Sequence, residues 1–283
     1  MPEAEGPTSP MQETSPASVF GTPQVTAVGV PRRQFLFSIG ALGLGVSLGG
    51  RVLDVVLASE EVDTLARTVD PNHQWVMVFD LRRCDGCGDC IKGCQTEHHL
   101  PESAEWIKVY EMHDTQGKPY MMPVLCMECQ DAPCVRVCPV QATYYRPDGV
   151  IVVDEQICIG CRMCMAACPY GARVFNWKEQ TGISPDLYDD RPEFTVPQRQ
   201  GTVGKCTVCV HHLEADKFPA CIESCSMDAI YVGNLITDSA SNGRETVILS
   251  TFLRDNDAFR FREELGTKAR VYYIAGHGQD LDY

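Results

Sequence analysis

The sequence predicts an α+β fold built from short strand–loop–helix units, and three observations carry that reading. All sixteen cysteines of the 283-residue chain lie between Cys84 and Cys225, in four groups of four. Short runs rich in Val, Ile, Phe and Tyr flank the groups, "QWVMVFD", "GVIVVD" and "ARVYYIA", and such runs read as strands. Three groups also end alike, in "CPVQAT", "CPYGAR" and "CSMDAI", with an alanine four residues after the last cysteine, as expected of a duplicated unit.

In chain order, residues 1–30 are rich in Pro, Ser, Thr and Glu, a composition that predicts disorder. "PRRQFLFSIGALGLGVSLGG" follows, with Arg32 and Arg33 ahead of a glycine-thinned apolar run too short to span a bilayer. It reads as a twin-arginine export signal, with Pro31 and Phe37 departing from the usual pattern and "VLA" at Val56–Ala58 offering a cleavage position. A short buried helix or a membrane anchor is the competing reading. Residues 1–58 are thus assigned as lead and signal, 59–233 as the cysteine-bearing domain and 234–283 as a C-terminal strand and helix extension. Gln74–Asp80 is the first expected strand, "EWIKVYEM" the second and Gly149–Asp154 the third. Helices are expected after the third cysteines, as in "CMAAC". The polar, proline-bearing stretch "NWKEQTGISPDLYDDRPEFTVPQRQGTVG" is an insertion that covers a metal site or meets a partner. "TFLRDNDAFRFREELG" has helical periodicity with Phe252, Phe259 and Leu265 as buried positions. No apolar segment after Ala58 is long enough to cross a membrane.

The cysteine spacing narrows the chemistry. The quartets are Cys84, Cys87, Cys90 and Cys94; Cys126, Cys129, Cys134 and Cys138; Cys158, Cys161, Cys164 and Cys168; and Cys206, Cys209, Cys221 and Cys225. A chain of this length does not need disulfide staples, and cysteines three apart are poorly placed to pair. Zinc likes C-x-x-C pairs, yet it usually takes two ligands from each of two knuckles. "CIGCRMCMAACP" instead carries the C-x2-C-x2-C-x3-C-P run in which three cysteines serve one [4Fe-4S] cluster and the fourth serves its neighbour, as in two-cluster bacterial ferredoxins. Four quartets predict four [4Fe-4S] clusters held by all sixteen cysteines, in two ferredoxin-like di-cluster units with peripheral strands and insertions. The second and fourth quartets carry extra residues before their third cysteine, and no quartet has lost a sulfur.

From Cys84 to about Gly233 the chain resembles the four-cluster iron–sulfur subunit of the molybdopterin oxidoreductases, the family of the dimethyl sulfoxide, polysulfide, thiosulfate and tetrathionate reductases, and the tetrathionate reductase branch looks nearest. The stretches that carry this are "DLRRCDGCGDCIKGCQTEH", "LCMECQDAPCVRVCPVQATYYRPDGVIVVDEQICIGCRMCMAACPYGAR" and "KCTVCVHHLEADKFPACIESC". His212 and Asp216 depart from relatives that often carry arginine and glycine there. The resemblance implies nested pairing, with residues 126–168 as one unit and 84–94 with 206–225 as the other. One cluster would sit on Cys126, Cys129, Cys134 and Cys168, its neighbour on Cys158, Cys161, Cys164 and Cys138. A third would sit on Cys84, Cys87, Cys90 and Cys225, the fourth on Cys206, Cys209, Cys221 and Cys94. Spacing alone allows sequential pairing equally well.

The resemblance further implies a non-catalytic electron-transfer subunit between a membrane quinone-interacting subunit and a molybdopterin catalytic subunit. With the export signal, that places it in the periplasm or on the outer face of the cytoplasmic membrane, attached through a partner. The iron–sulfur subunit of a hydrogenase or of a sulfite-reduction-associated membrane complex is the alternative within redox chemistry, and a zinc-loaded interaction module the alternative outside it. Charge excludes nucleic acid as a partner: the net charge is −14, and the first 58 residues hold three arginines against four acids, so their removal leaves −13. Arg82, Arg83, Lys92, Arg136, Arg162 and Lys205 lie inside the motifs and either raise cluster potentials or are solvated surface charges. His98, His99, His211 and His212 read as surface or hydrogen-bonding groups, since cysteine already fills every ligand position. No C-x-x-C-H, G-x-G-x-x-G or P-loop is present.

Overall fold

Six residues, Trp75–Asp80 (β1), are buried from the second onward on both faces, which only the inside of a sheet allows. The computed structural model describes residues 73–114 and 116–275, so the lead and export signal assigned to residues 1–58 lie outside the described residues. β1 pairs antiparallel with Ile230–Asn234 (β10) and parallel with Val271–Ile274 (β13). Ser239–Ser241 (β11) and Thr246–Ile248 (β12) complete a five-stranded sheet of order β12-β11-β10-β1-β13. The boundary at residue 233 falls inside β10, and the chain beyond it supplies three strands of this sheet.

The period-2 alternation of side chains divides the core. Met77 and Phe79, with Ile230, Val232, Val271 and Tyr273, face the body that holds the cysteines. Val76 and Val78, with Tyr231 and Ile274, face the opposite way, onto the helix Leu249–Asp255 (α6). Tyr273 donates its hydroxyl to Pro123 O at 2.8 Å, tying the sheet to the hairpin of Lys108–His113 (β2) and Pro119–Val124 (β3).

The helix expected over 251–266 is shorter. Asn256 Nδ2 bonds Phe252 O at 2.8 Å, Asp257 takes φ 46°, and the chain turns so that Phe259 bridges to Tyr273. Phe252 and Phe259 pack as expected, while Leu265 is 46 % exposed.

Short helices carry or flank the cysteines: Asp89–Glu97 (α1), Pro133–Arg136 (α2), Met163–Ala167 (α3), Val210–Leu213 (α4), which Cys209 caps, and Ala220–Glu223 (α5). α1 packs on α5, and α2 on α3. The first contact needs Gly93, where a Cβ would fall 2.1 Å from Ser224 Oγ and 2.9 Å from Ala220 O. Between α2 and α3 stand the antiparallel Thr143–Tyr145 (β4) and Ile151–Val153 (β5).

The insertion folds over this body. Val174–Phe175 (β6) pairs with Val203–Gly204 (β9), and Asp189–Arg191 (β7) with Phe194–Val196 (β8). Two buried polar contacts anchor it. Arg146, in the β4–β5 turn, meets Asp148 at 3.1 Å, Glu193 at 3.7 Å and Glu214 at 2.5 Å. Glu155 accepts the Arg199 backbone N–H at 2.6 Å.

Gly93→Ala overpacks the α1–α5 contact and is expected to cost about 1–3 kcal/mol, lowering the melting temperature by roughly 2–12 °C. Adding Ser224→Gly removes the nearest clash and should recover part of the loss in the same scan.

Burial raises the Glu155 carboxyl to about 7, against the Arg199 N–H and Thr202 bonds that lower it. Between the ordinary carboxylate range and pH 7 the folded chain keeps a proton that the unfolded chain releases, so stability falls as pH rises through that window. Denaturation at pH 5 and pH 8 should show the wild type losing about 2.5 kcal/mol more than Glu155→Gln.

Candidate metal centres

Each quartet solves the same local problem. The residue just before the second cysteine has positive φ in all four: Gly86 at 80°, Glu128 at 42°, Gly160 at 66° and Val208 at 57°. This left-handed residue curls the C-x-x-C loop back on itself. Glycine adopts it freely, whereas for the β-branched Val208 it is a strained conformation. The third cysteine then lies in or beside a short helix, and the fourth follows four residues later: Cys90 and Cys94, Cys134 and Cys138, Cys164 and Cys168, Cys221 and Cys225. In α1 both cysteines lie in the helix about one turn apart, so their sulfurs share a face at successive levels, while in the other three quartets the fourth cysteine lies at or just past the helix end.

The levels fall into four groups. Cys84, Cys87, Cys90 and Cys225 line about 380 Å³ of space with Phe79 and Ile230 behind them. Cys138, Cys158, Cys161 and Cys164 line about 310 Å³, backed by Val153 and Val203. Cys94, Cys206, Cys209 and Cys221 form a third group: burial, then the charges of Cys209, Cys206 and Cys94, push the Cys221 thiol far up. Cys126, Cys129, Cys134 and Cys168 form the fourth, where burial and neighbours including Cys134 and Cys168 push Cys129 up to about 12. In every group the fourth cysteine of a quartet joins three from another: Cys225 the first trio, Cys94 the last, Cys168 the second and Cys138 the third.

The groups form a row. Cys90 is an electrostatic neighbour of both Cys94 and Cys221, which sets the Cys225-containing group beside the Cys94-containing one. Cys134 is likewise a neighbour of Cys164, which sets the Cys168-containing group beside the Cys138-containing one. Lys205 joins the two inner groups. It is 1 % exposed, with Nζ 2.8 Å from Glu128 Oε1 and 2.6 Å from Cys206 O. Burial works against its charge, but Cys126, Glu128 and Cys206 hold the ammonium firmly protonated. The ends of the row reach solvent at Cys87 and Cys161, while the inner cysteines are buried except for Cys168, which is half-buried.

The donor chemistry fits iron–sulfur clusters. All sixteen thiols are free, and in each group the converging donors are sulfur. Hydrogen-bond donors also stand ready beside the sulfurs. Val208 N–H reaches Cys206 Sγ and Ala229 N–H reaches Cys225 Sγ, both at 3.4 Å. Arg173 Nη2 and Thr207 Oγ1 are buried without a partner among the described residues, the former beside Cys134 and Cys164.

Of the six cations singled out in the sequence, only Lys205 is buried. Arg82 bonds Asp80, Arg83 pairs with Glu245, Lys92 with Asp89 and Arg136 with Asp131, and Arg162 lies over Phe175 and Trp177. Arg173 was not singled out, although it follows "CPYGA" directly and is 5 % exposed. The histidines hydrogen-bond: His98 is buried with Nε2 3.4 Å from Cys209 Sγ, and burial depresses it to about 3. His211 and His212 both meet Glu97.

Two family models match, both described as a 4Fe-4S dicluster domain, one over residues 83–142 and the other over 118–197. The chain is 35 % identical to a tetrathionate reductase subunit of Salmonella typhimurium over 86 % of its own length and 87 % of the relative's. It is 33 % identical to Hdr-like menaquinol oxidoreductase iron-sulfur subunit 1 of Archaeoglobus fulgidus, over 88 % and 99 %. It is 35 % identical to a selenate reductase subunit of Mesobacillus selenatarsenatis, over 71 % and 72 %.

Proposed function

Because this chain belongs to the family of iron–sulfur subunits of respiratory oxidoreductases, we propose that it is an electron-transfer subunit holding four [4Fe-4S] clusters in a row, one on each of the four cysteine groups. The observation that carries this is the row itself, buried in the middle and open at Cys87 and Cys161. When bound, each cluster supplies a one-electron carrier. The chain's own residues do the rest. The helices α1, α2, α3 and α5 fix the spacing, because each, with the residue at or just past its end, presents cysteines to two neighbouring groups. Leu125, Val203 and Tyr273, all fully buried, keep water from the interior. Lys205 and Arg173 set positive charge where the reduced state is more negative, which raises the potential there.

Both ends suit a protein partner. Val140, Ile157, Ile159 and Met163 are exposed around the Cys138-containing group, and Met227 beside Cys225. We assign one end to a molybdopterin catalytic subunit and the other to a membrane quinone-reactive subunit. Among the described residues no helix is long and apolar enough to cross a membrane. Export through the twin-arginine signal at Arg32 and Arg33 completes the reading, with the folded, cluster-loaded chain working outside the cytoplasm.

Two measurements test it. Cys94→Ser should lower iron by about a quarter and abolish the same paramagnetic signal as Cys206→Ser, while the signal that Cys84→Ser removes persists. Loss of the Cys84-dependent signal instead would overturn the assignment. Lys205→Met should lower the midpoint of at least one inner cluster by about 60 mV, a tenfold change for one electron. Four unchanged midpoints would remove Lys205 from any tuning role.

A further inference from the structure

Among the described residues, one set of side chains other than the cysteines converges like ligands. Glu97 ends α1, and His211 and His212 lie on α4. Glu97 Oε1 is 2.9 Å from His211 Nε2 and 2.8 Å from His212 Nε2, and the three atoms lie within 4.8 Å of one another. His212 Nδ1 stands 2.7 Å from the Phe218 carbonyl, which can only accept. The ring proton therefore sits on Nδ1. A neutral His212 then turns a bare Nε2 toward a carboxylate oxygen, lone pair against lone pair, so a cation must lie between them.

Two features favour a metal ion over a proton as that cation. An imidazole that donates its far N–H to a backbone carbonyl while its near nitrogen meets a carboxylate is oriented as metal-binding histidines are. His211 brings a second nitrogen to the same oxygen, so the set is a two-histidine, one-carboxylate group, with His211 Nδ1 buried and without a hydrogen-bond partner among the described residues. The three atoms are close enough that small side-chain rotations bring them to the 2.0–2.2 Å range of zinc ligands. The site can also be reached, since Glu97 keeps 26 % and His212 15 % of its side-chain surface exposed.

We propose that Glu97, His211 and His212 bind one divalent transition-metal ion, zinc in the first instance, with an open position left for water. The ion acts as a clamp. It joins the end of the first-quartet helix to the loop of the fourth quartet, residues 114 and 115 positions apart in the chain. This goes beyond the electron-transfer reading and does not depend on it.

The test uses the full chain, purified anaerobically with its iron, dialysed against metal-free buffer and given one equivalent of zinc. The wild type should keep about one zinc per chain with its iron unchanged, and melt about 5–10 °C higher at a hundredfold excess over Kd. Glu97→Gln, nearly isosteric, should lose that zinc and that shift while its iron stays at the wild-type level, and His211→Ala should behave alike. Zinc retained equally by the wild type and both variants would overturn the proposal, as would a wild type that binds none, in which case protonated His212 alone fills the gap. Failure of the cluster reading looks different: iron absent and several zinc ions in every variant, among which a deficit of one in Glu97→Gln would still report the clamp.

Discussion

A single spacing governs this molecule: in every quartet the fourth cysteine follows the third by four residues, within a short helix in the first quartet and at or just past the helix end in the other three. Sulfurs so placed fall into different groups, so each short helix, together with the residues just past it, serves two neighbouring groups. The consequence is mechanical as well as chemical. Because α1 contributes to the Cys225-containing group and the Cys94-containing group, and α5 to the same two, the helices must touch, and Gly93 is the residue that lets them. α2 and α3 repeat the arrangement for the other two groups.

Burial follows the same logic. The outer groups have one exposed cysteine each, and the group of Cys94, Cys206, Cys209 and Cys221 has none. Buried thiols close together raise one another, and without a compensating cation they would stay protonated. In the proposed four-cluster loading, iron would supply that compensation within each group, and Lys205 adds a fixed charge between the two inner ones. The ammonium is tolerated there because Glu128 and the Cys206 carbonyl satisfy two of its donors. A buried charge kept at a junction between redox sites is a lever on potential more than a contribution to stability.

The sixteen cysteines, the first strand and the final strand were legible in the sequence, because cysteine spacing and period-2 apolar runs are local signals. The partner of each fourth cysteine was not. Spacing says that Cys94 points away from its own trio but not toward which other one, and that answer depends on α1 meeting α5 across more than a hundred residues. Lys205 could not be told from a surface lysine, because its burial comes from Glu128 and Cys126, far away in the chain. Arg173 was overlooked although it follows a motif directly, since nothing local marks a charge as interior. The overlong helix at 251–266 had a local cause: the periodicity of Phe252, Phe259 and Leu265 continued through Asn256 and Asp257, which end the helix by bonding back to the chain and by taking positive φ.

The positions of Cys87 and Ser226, in contact though 139 residues apart, bear on biosynthesis. A nascent chain emerging from the ribosome presents its first trio of cysteines early, but Cys225, which completes that group, leaves the tunnel late. The second and third quartets, by contrast, complete each other within a short stretch. Iron therefore has a finished pocket in the middle of the polypeptide well before it has one at the beginning. The group nearest the amino terminus waits for Cys225, so its filling would report that synthesis has passed the fourth quartet.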